Sequence, residues 1–207
     1  MLINRVGLGQ TYITIMANTT AKPLIIVGIG ASAGGLKALQ ALVSGLSCNN
    51  NSCYLITQHL STNHQSNMVN LLAKYSDLPV FTAVNNALLT SDTIYVCPEN
   101  ANMAVENQRI KLTQPDQNQS AVPSINRLFE SIADNYHENS IAVVLSGVGS
   151  DGAAGAKAIV SNQGQVIVQD LQSVQYDGMV KATLNATEVK YSASPDEIGA
   201  LLTTIST

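Results

Sequence analysis

The sequence predicts an α/β fold: a mostly parallel sheet with helices on both faces and antiparallel hairpins attached to it. Three observations carry that expectation. Continuous apolar runs at 24–29 and 141–145, each followed by a glycine-containing stretch, have the composition of strands buried on both faces. Between such runs, apolar residues recur at helical spacing, as Leu36, Leu39, Leu42, Val43 and Leu46 do. Run and periodic segment alternate along the chain, which is the order that parallel strands joined by crossover helices require.

Each element has its own signal. Residues 1–22 show no period and end in a polar stretch before Pro23. They are expected to be a loosely ordered leader or linker remnant, with Met16 a candidate start, and residues 23–207 a single domain. The strand at 24–29 is followed by the helix through Leu36–Leu46 spacing, a second strand at 53–57 and a second helix at 68–75. Short β-rich runs at 93–97, 103–105 and 109–112, separated by turn residues, read as hairpins attached to the sheet. Pro123 is placed in the first turn of a helix reaching His137, where its missing N–H costs nothing. A buried strand at 141–145, a helix at 151–162 closed by Gly164, and a strand at 165–169 follow. Two further helices flank a last short strand at 188–191.

Composition excludes several classes of function. With 207 residues, of which 45% are hydrophobic and 12% charged, the chain suits one well-packed domain and no disordered tail. A net charge of −4, with Arg5, Arg109 and Arg127 as its arginines, gives no surface for tracking nucleic-acid phosphates. Cys48, Cys53 and Cys97 form no C-x-x-C, so neither a zinc ribbon nor a thioredoxin-like site is supported, and they read as small apolar fillers. There is no signal-peptide h-region and no apolar window long enough to span a bilayer. The expected setting is cytoplasmic, with no membrane insertion.

In an open α/β sheet, ligands bind beyond the carboxyl ends of the strands. The segment 28–35 there fits two templates. Gly28, Gly30 and Ala33 spell G-x-G-x-x-A, a dinucleotide fingerprint, but that reading needs a ribose-binding carboxylate about 20 residues on. The first carboxylate in the chain is Asp77, beyond the second helix. Gly30, Ser32 and Gly34 spell G-x-S-x-G, which lifts a serine hydroxyl clear of a sheet and leaves the Ala33 N–H facing developing negative charge. Ser32 could equally be a helix cap.

A serine nucleophile needs a base. Of three histidines, His137 sits where an imidazolium favours a helix C-terminus and His64 lies in a polar loop. His59 ends the second strand, level with Ser32. After the 141–145 strand, the glycine-rich stretch 146–152 carries one carboxylate, Asp151. It is either a plain N-cap or the acceptor of the His59 Nδ1 proton.

Three segments, 27–35, Gln58-His59 and 145–153, supported by Tyr176-Asp177-Gly178-Met179, resemble the catalytic domain of the bacterial chemotaxis protein-glutamate methylesterases (CheB-type). The likeness runs from Leu24 to about Leu202. It implies a three-layer, doubly wound, Rossmann-like fold with an added antiparallel hairpin. It also implies hydrolysis of glutamyl methyl esters on chemoreceptor helices, often with deamidation of glutamines, and no metal or cofactor. Matched position by position, the nucleophile falls on Ser32, the base on His59 and the orienting acid on Asp151. Backbone groups at Ala33 and Val148 take the oxyanion positions.

Three positions depart from the pattern. Ala33 stands where threonine is frequent, Val148 where methionine is, and Val180 where proline is. No phosphorylatable receiver domain is expected before the match, the chain being either a freestanding member or a fragment of a larger fusion. The Ser-Ala-Gly-Gly and Tyr-Asp-Gly-Met variants are similar to the branch fused to a receptor methyltransferase, which becomes a second expected partner. Hydrolysis is therefore expected to be constitutive, so acetyl phosphate should leave it unchanged. The competing expectation is a non-catalytic signalling or docking module on the same fold. A nucleotide-binding domain ranks last for want of the ribose carboxylate.

Overall fold

The computed structural model describes residues 23–49, 51–59, 67–116 and 122–205. The expected leader at 1–22 lies outside them. In the first half, β1 (Ile25–Ala31), α1 (Gly35–Ser44), β2 (Ser52–Gln58), α2 (Met68–Ala73), β3 (Val80–Thr82) and β4 (Thr93–Val96) follow in turn. Next come β5 (Asn102–Glu106), β6 (Arg109–Thr113), α3 (Ile125–Tyr136) and β7 (Ser140–Val144), with a 3-10 turn at His137–Asn139. The chain finishes with α4 (Ala153–Ser161), β8 (Gln165–Gln169), α5 (Gly178–Ala186), β9 (Tyr191–Ala193) and α6 (Pro195–Ile205).

Seven strands form one sheet in the order β3-β4-β2-β1-β7-β8-β9, and every neighbouring pair is parallel. The chain winds outward from β1 in one direction and from β7 in the other. The crevice where winding reverses therefore opens at the carboxyl end of β1.

Two cores cover the two faces. Ile26, Leu55, Val144 and Val168 pack beneath Phe129 and Ile132 of α3, Ile159 of α4 and Met179 of α5. Val27, Tyr54, Ile56 and Val143 pack beneath Leu39 and Leu42 of α1, Leu72 of α2 and Leu202 of α6. Alternate residues of β1 and β2 thus serve opposite cores, which is why both strands read as unbroken apolar runs. Gly30 lets α3 lie directly on β1, since a Cβ there would stand 2.5 Å from Cγ2 of Ile125. The N-terminus of α3 is brought down onto the strand end by that contact.

Several expectations are corrected. The run at 93–97 is no hairpin: β4 pairs in parallel with β2 and β3, and all four of its residues are buried. Burial on both faces, with Ile94 in one core and Tyr95 in the other, marks a strand inside the sheet. The edge strand β3 gave no signal because two of its three residues are exposed. Among the described residues, the antiparallel hairpin is β5–β6, a separate sheet joined through Asn107 and Gln108 at φ 51° and 61°. It rests on α3, where Val105 N–H donates to Ser131 Oγ at 2.9 Å.

Pro123 precedes the cap rather than opening the first turn, and Ser124 caps α3 by accepting from Arg127 N–H at 3.3 Å. The last strand lies three residues later than its apolar signal. Cys53 and Cys97 are buried fillers whose thiols burial pushes up to about 12, but Cys48 is exposed.

Candidate active site

Strand register brings the first two candidate residues together. Ala31 of β1 pairs with Gln58 of β2, and His59 N–H donates to the Ala31 carbonyl at 3.0 Å. Ser32 and His59 are the next residues on the two strands, which run about 4.8 Å apart. Both line one cavity of about 630 Å³, together with Ala33, Lys37, Gln58 and Gln175. Ser32 is not a helix cap: α1 is preceded by Gly34 at φ 73°, and no side chain caps it. The left-handed conformation favours glycine at 34, and a Cβ there would stand 2.8 Å from both Gln175 Oε1 and Ser146 Oγ.

Asp151 meets His59 from the other side. Its Oδ2 lies 2.8 Å from Nε2 of His59, and the two side chains are 13% and 17% exposed. The same carboxylate accepts Ile125 N–H at 2.7 Å and Asn126 N–H at 3.0 Å, both in the first turn of α3. In return, Oδ1 of Asn126 accepts Gly152 N–H and Gly155 N–H, each at 2.9 Å, at the start of α4. Asp151, just before α4, thus meets unpaired donors at the start of α3, and Asn126 of α3 meets donors at the start of α4. Burial pushes the Asp151 carboxyl up, but the bonds from His59, Ile125 and Asn126 outweigh it and hold it below its ordinary value.

Two details differ from the sequence reading. Asp151 does cap a helix, yet the helix is α3 rather than α4, which it precedes. The ring nitrogen facing it is Nε2, not Nδ1. An ionised carboxylate only accepts, so the proton of that bond sits on Nε2 and the lone pair of a neutral ring sits on Nδ1.

The remaining candidates fall as follows. Ala33 lines the cavity of Ser32 and His59. Val148 is exposed and borders an adjoining cavity of about 460 Å³ with Leu171, Val174 and Tyr176, and Gln175 is the wall shared by both. His137 serves the end of α3, its Nδ1 3.4 Å from Asn162 Oδ1, and His64 lies outside the described residues. Gly28 and Gly30 belong to β1 itself, packed under α3, so the glycines of the apparent dinucleotide fingerprint serve helix packing. Among the described residues, no group of three or more His, Cys, Asp or Glu side chains could hold a metal.

The sequence reading missed Asn126, Ser146, Gln169 and Gln175. Asn126 carried no signal, because its partners are 26 and 29 residues away. Ser146 was visible only as the first residue of a glycine-rich stretch.

Residues 27–202 match the family model described as CheB methylesterase. The chain belongs to the CheB methylesterase family. A protein-glutamate methylesterase/protein-glutamine glutaminase of Hahella chejuensis is 32% identical over 178 residues, 86% of this chain and 51% of its own length. One from the group 3 operon of Rhizobium meliloti is 34% identical over 169 residues, 81% of this chain and 48% of its own. The chain thus spans about half the length of these two relatives. A Leptospira interrogans protein, provisionally named for the same two activities, is 29% identical over 84% of this chain and 90% of its own. In fold, the chain is similar to the crystal structure of the Thermotoga maritima CheB methylesterase catalytic domain, with a TM-score of 0.80. That likeness carries 24% identity and covers 88% of this chain and 98% of the other. The CheB fold accounts for both the parallel sheet and the separate hairpin.

Proposed function

We propose that this CheB-family domain is a serine hydrolase that removes methyl esters from glutamate side chains of chemoreceptors. The observation that carries the reading is the His59–Asp151 pair at 2.8 Å beside the cavity that Ser32 lines. Nδ1 of His59 takes the proton of Ser32 as Oγ bonds to the ester carbon. The tetrahedral oxyanion is met by the N–H of Ala33, with Val148 N–H the second donor. As the C–O bond to the methoxy group breaks, His59 returns its proton to the leaving oxygen and methanol departs. A water molecule then gives its proton to Nδ1 and attacks the acyl-enzyme. As the bond between the acyl carbon and Oγ breaks, Nδ1 returns that proton to Oγ, which frees the glutamate and restores both the serine and the neutral imidazole. Asp151 keeps the proton on Nε2 throughout and stabilises the imidazolium.

The names of the relatives support glutamate methyl esters as the substrate class and make glutamine side-chain amides a second class to test. A cytoplasmic setting and a receptor methyltransferase as partner belong to the same proposal. Among the described residues, no helix is long and apolar enough to cross a membrane. The test is mass spectrometry after a serine-directed fluorophosphonate, alongside methanol release from a receptor-type peptide bearing a glutamate methyl ester. A single adduct on Ser32, abolished in His59→Ala, is expected. Absence of both adduct and methanol would leave a docking module instead.

A further inference from the structure

The nucleophile loop, Ser-Ala-Gly-Gly at 32–35, carries little side chain with which to hold itself in place. Its backbone is held from outside, by Gln58, whose Nε2 donates to the Ser32 carbonyl at 3.5 Å, and by Ser146. Ser146 follows β7, is 1% exposed and does not line the cavity. Its carbonyl accepts Ser32 N–H at 2.9 Å, and its Oγ donates to the Ala33 carbonyl at 2.8 Å. The same Oγ accepts Tyr176 N–H at 3.0 Å, while Gly147 N–H donates to the Tyr176 carbonyl at 2.9 Å. Ser146 N–H is in turn taken by Oε1 of the buried Gln169 at 2.9 Å. The loops after β1, β7 and β8 therefore meet at a single side chain.

We propose that Ser146 is a positioning residue for the reaction, a role that rests on Ser32 being the nucleophile. Its hydroxyl fixes the Ala33–Gly34 peptide against the Tyr176 loop. That peptide adjoins the Ala33 N–H proposed for the oxyanion and leads into Gly34, the most permissive point of the loop. Removing the hydroxyl frees the peptide to rotate while leaving the cavity wall chemically unchanged. Misplacement by about 1 Å is enough to cost about 100-fold in rate.

The experiment compares wild type, Ser146→Ala and Ser146→Cys. The readouts are methyl-ester turnover, the rate of fluorophosphonate labelling of Ser32, and thermal melting. Ser146→Ala is expected to lower kcat and the labelling rate by about 10- to 100-fold with KM within about twofold. The weakly donating thiol of Ser146→Cys should recover part of the loss. Wild-type labelling rates in either variant would overturn the proposal. So would equal losses in both that merely track a lower melting temperature. If Ser146→Ala fails to fold, the labelling rate of Ser146→Cys decides alone. If wild type neither turns over nor labels, the hydrolase reading fails by itself. Amide exchange at Ser32 and Gly35 then decides on Ser146: faster exchange in the alanine variant supports the anchor and unchanged exchange removes it.

Discussion

Asp151 and Ser32 stand on two loops beside His59, and different forces hold them there. A charge organises the Asp151 side: one carboxylate collects donors from His59, from the first turn of α3 and from Gly152 N–H at 3.1 Å. Such charge-assisted bonds contribute about 1.5–3 kcal/mol each. The hydrogen bonds that hold the Ser32 loop run to uncharged groups. Neutral bonds through Ser146 hold it, each worth about 0.5–1.5 kcal/mol, together with glycines that admit close backbone approach. The proposed acid is anchored strongly and responds to pH, whereas the proposed nucleophile is anchored weakly and responds to volume and backbone freedom.

The largest effect should come from the reacting groups themselves. Ser32→Ala or His59→Ala is expected to cut methanol release by about four to six orders of magnitude, and the double variant no further, because the groups act as a unit. Asp151→Asn should cost about 10⁴-fold in turnover. It should also lower the melting temperature, since the amide replaces a charged acceptor with a neutral one at the α3 N-terminus. A Ser32→Ala variant should melt close to wild type. An Asp151→Asn protein as stable as wild type would break the contrast between the two sides.

Smaller changes probe the supports. Asn126→Ala removes the acceptor for Gly152 and Gly155 and should destabilise by about 1–2 kcal/mol in denaturant titration, with turnover falling by less than about tenfold. Gly34→Ala should act the other way round. Its strained φ and the contact with Ser146 Oγ predict a loss of turnover larger than the roughly 1–2 kcal/mol cost in stability would suggest.

Acid should separate the two sides most finely. The folded Asp151 carboxyl sits below its ordinary value, so its contribution to stability is present above about pH 4 and fades as pH falls through the folded value. Correcting for intrinsic rates, amide exchange at Ile125 and Asn126 should accelerate over that range. Exchange at Ser32 and Gly147, whose bonds involve no titrating partner, should not. A uniform acceleration would show that the two sides open together.

The sheet was legible wherever burial on both faces leaves an unbroken apolar run, as in β1, β2 and β7. The pairing of Ser32 with His59 was legible for a related reason: residues that end adjacent parallel strands in register must be neighbours. Asp151 was readable as a residue of interest but not in its setting. Local sequence shows it before α4, while the donors that matter belong to α3, packed there by the contact between Gly30 and Ile125. β4 was mistaken for a hairpin strand because four buried residues look alike in either arrangement, and only the partner strand distinguishes them. Ser146 escaped because a buried hydroxyl bonded to backbone leaves no pattern in the sequence.

The strand order has one more consequence, for the growing polypeptide. Ser32 and His59 emerge early, but Ser146 and Asp151, the supports proposed for them, both lie beyond β7, which enters the sheet on the far side of β1. A nascent chain that stops short of β7 already carries the hydroxyl and the base yet lacks both of their supports. Esterase competence should therefore switch on late in synthesis, when the second half of the sheet docks against the first.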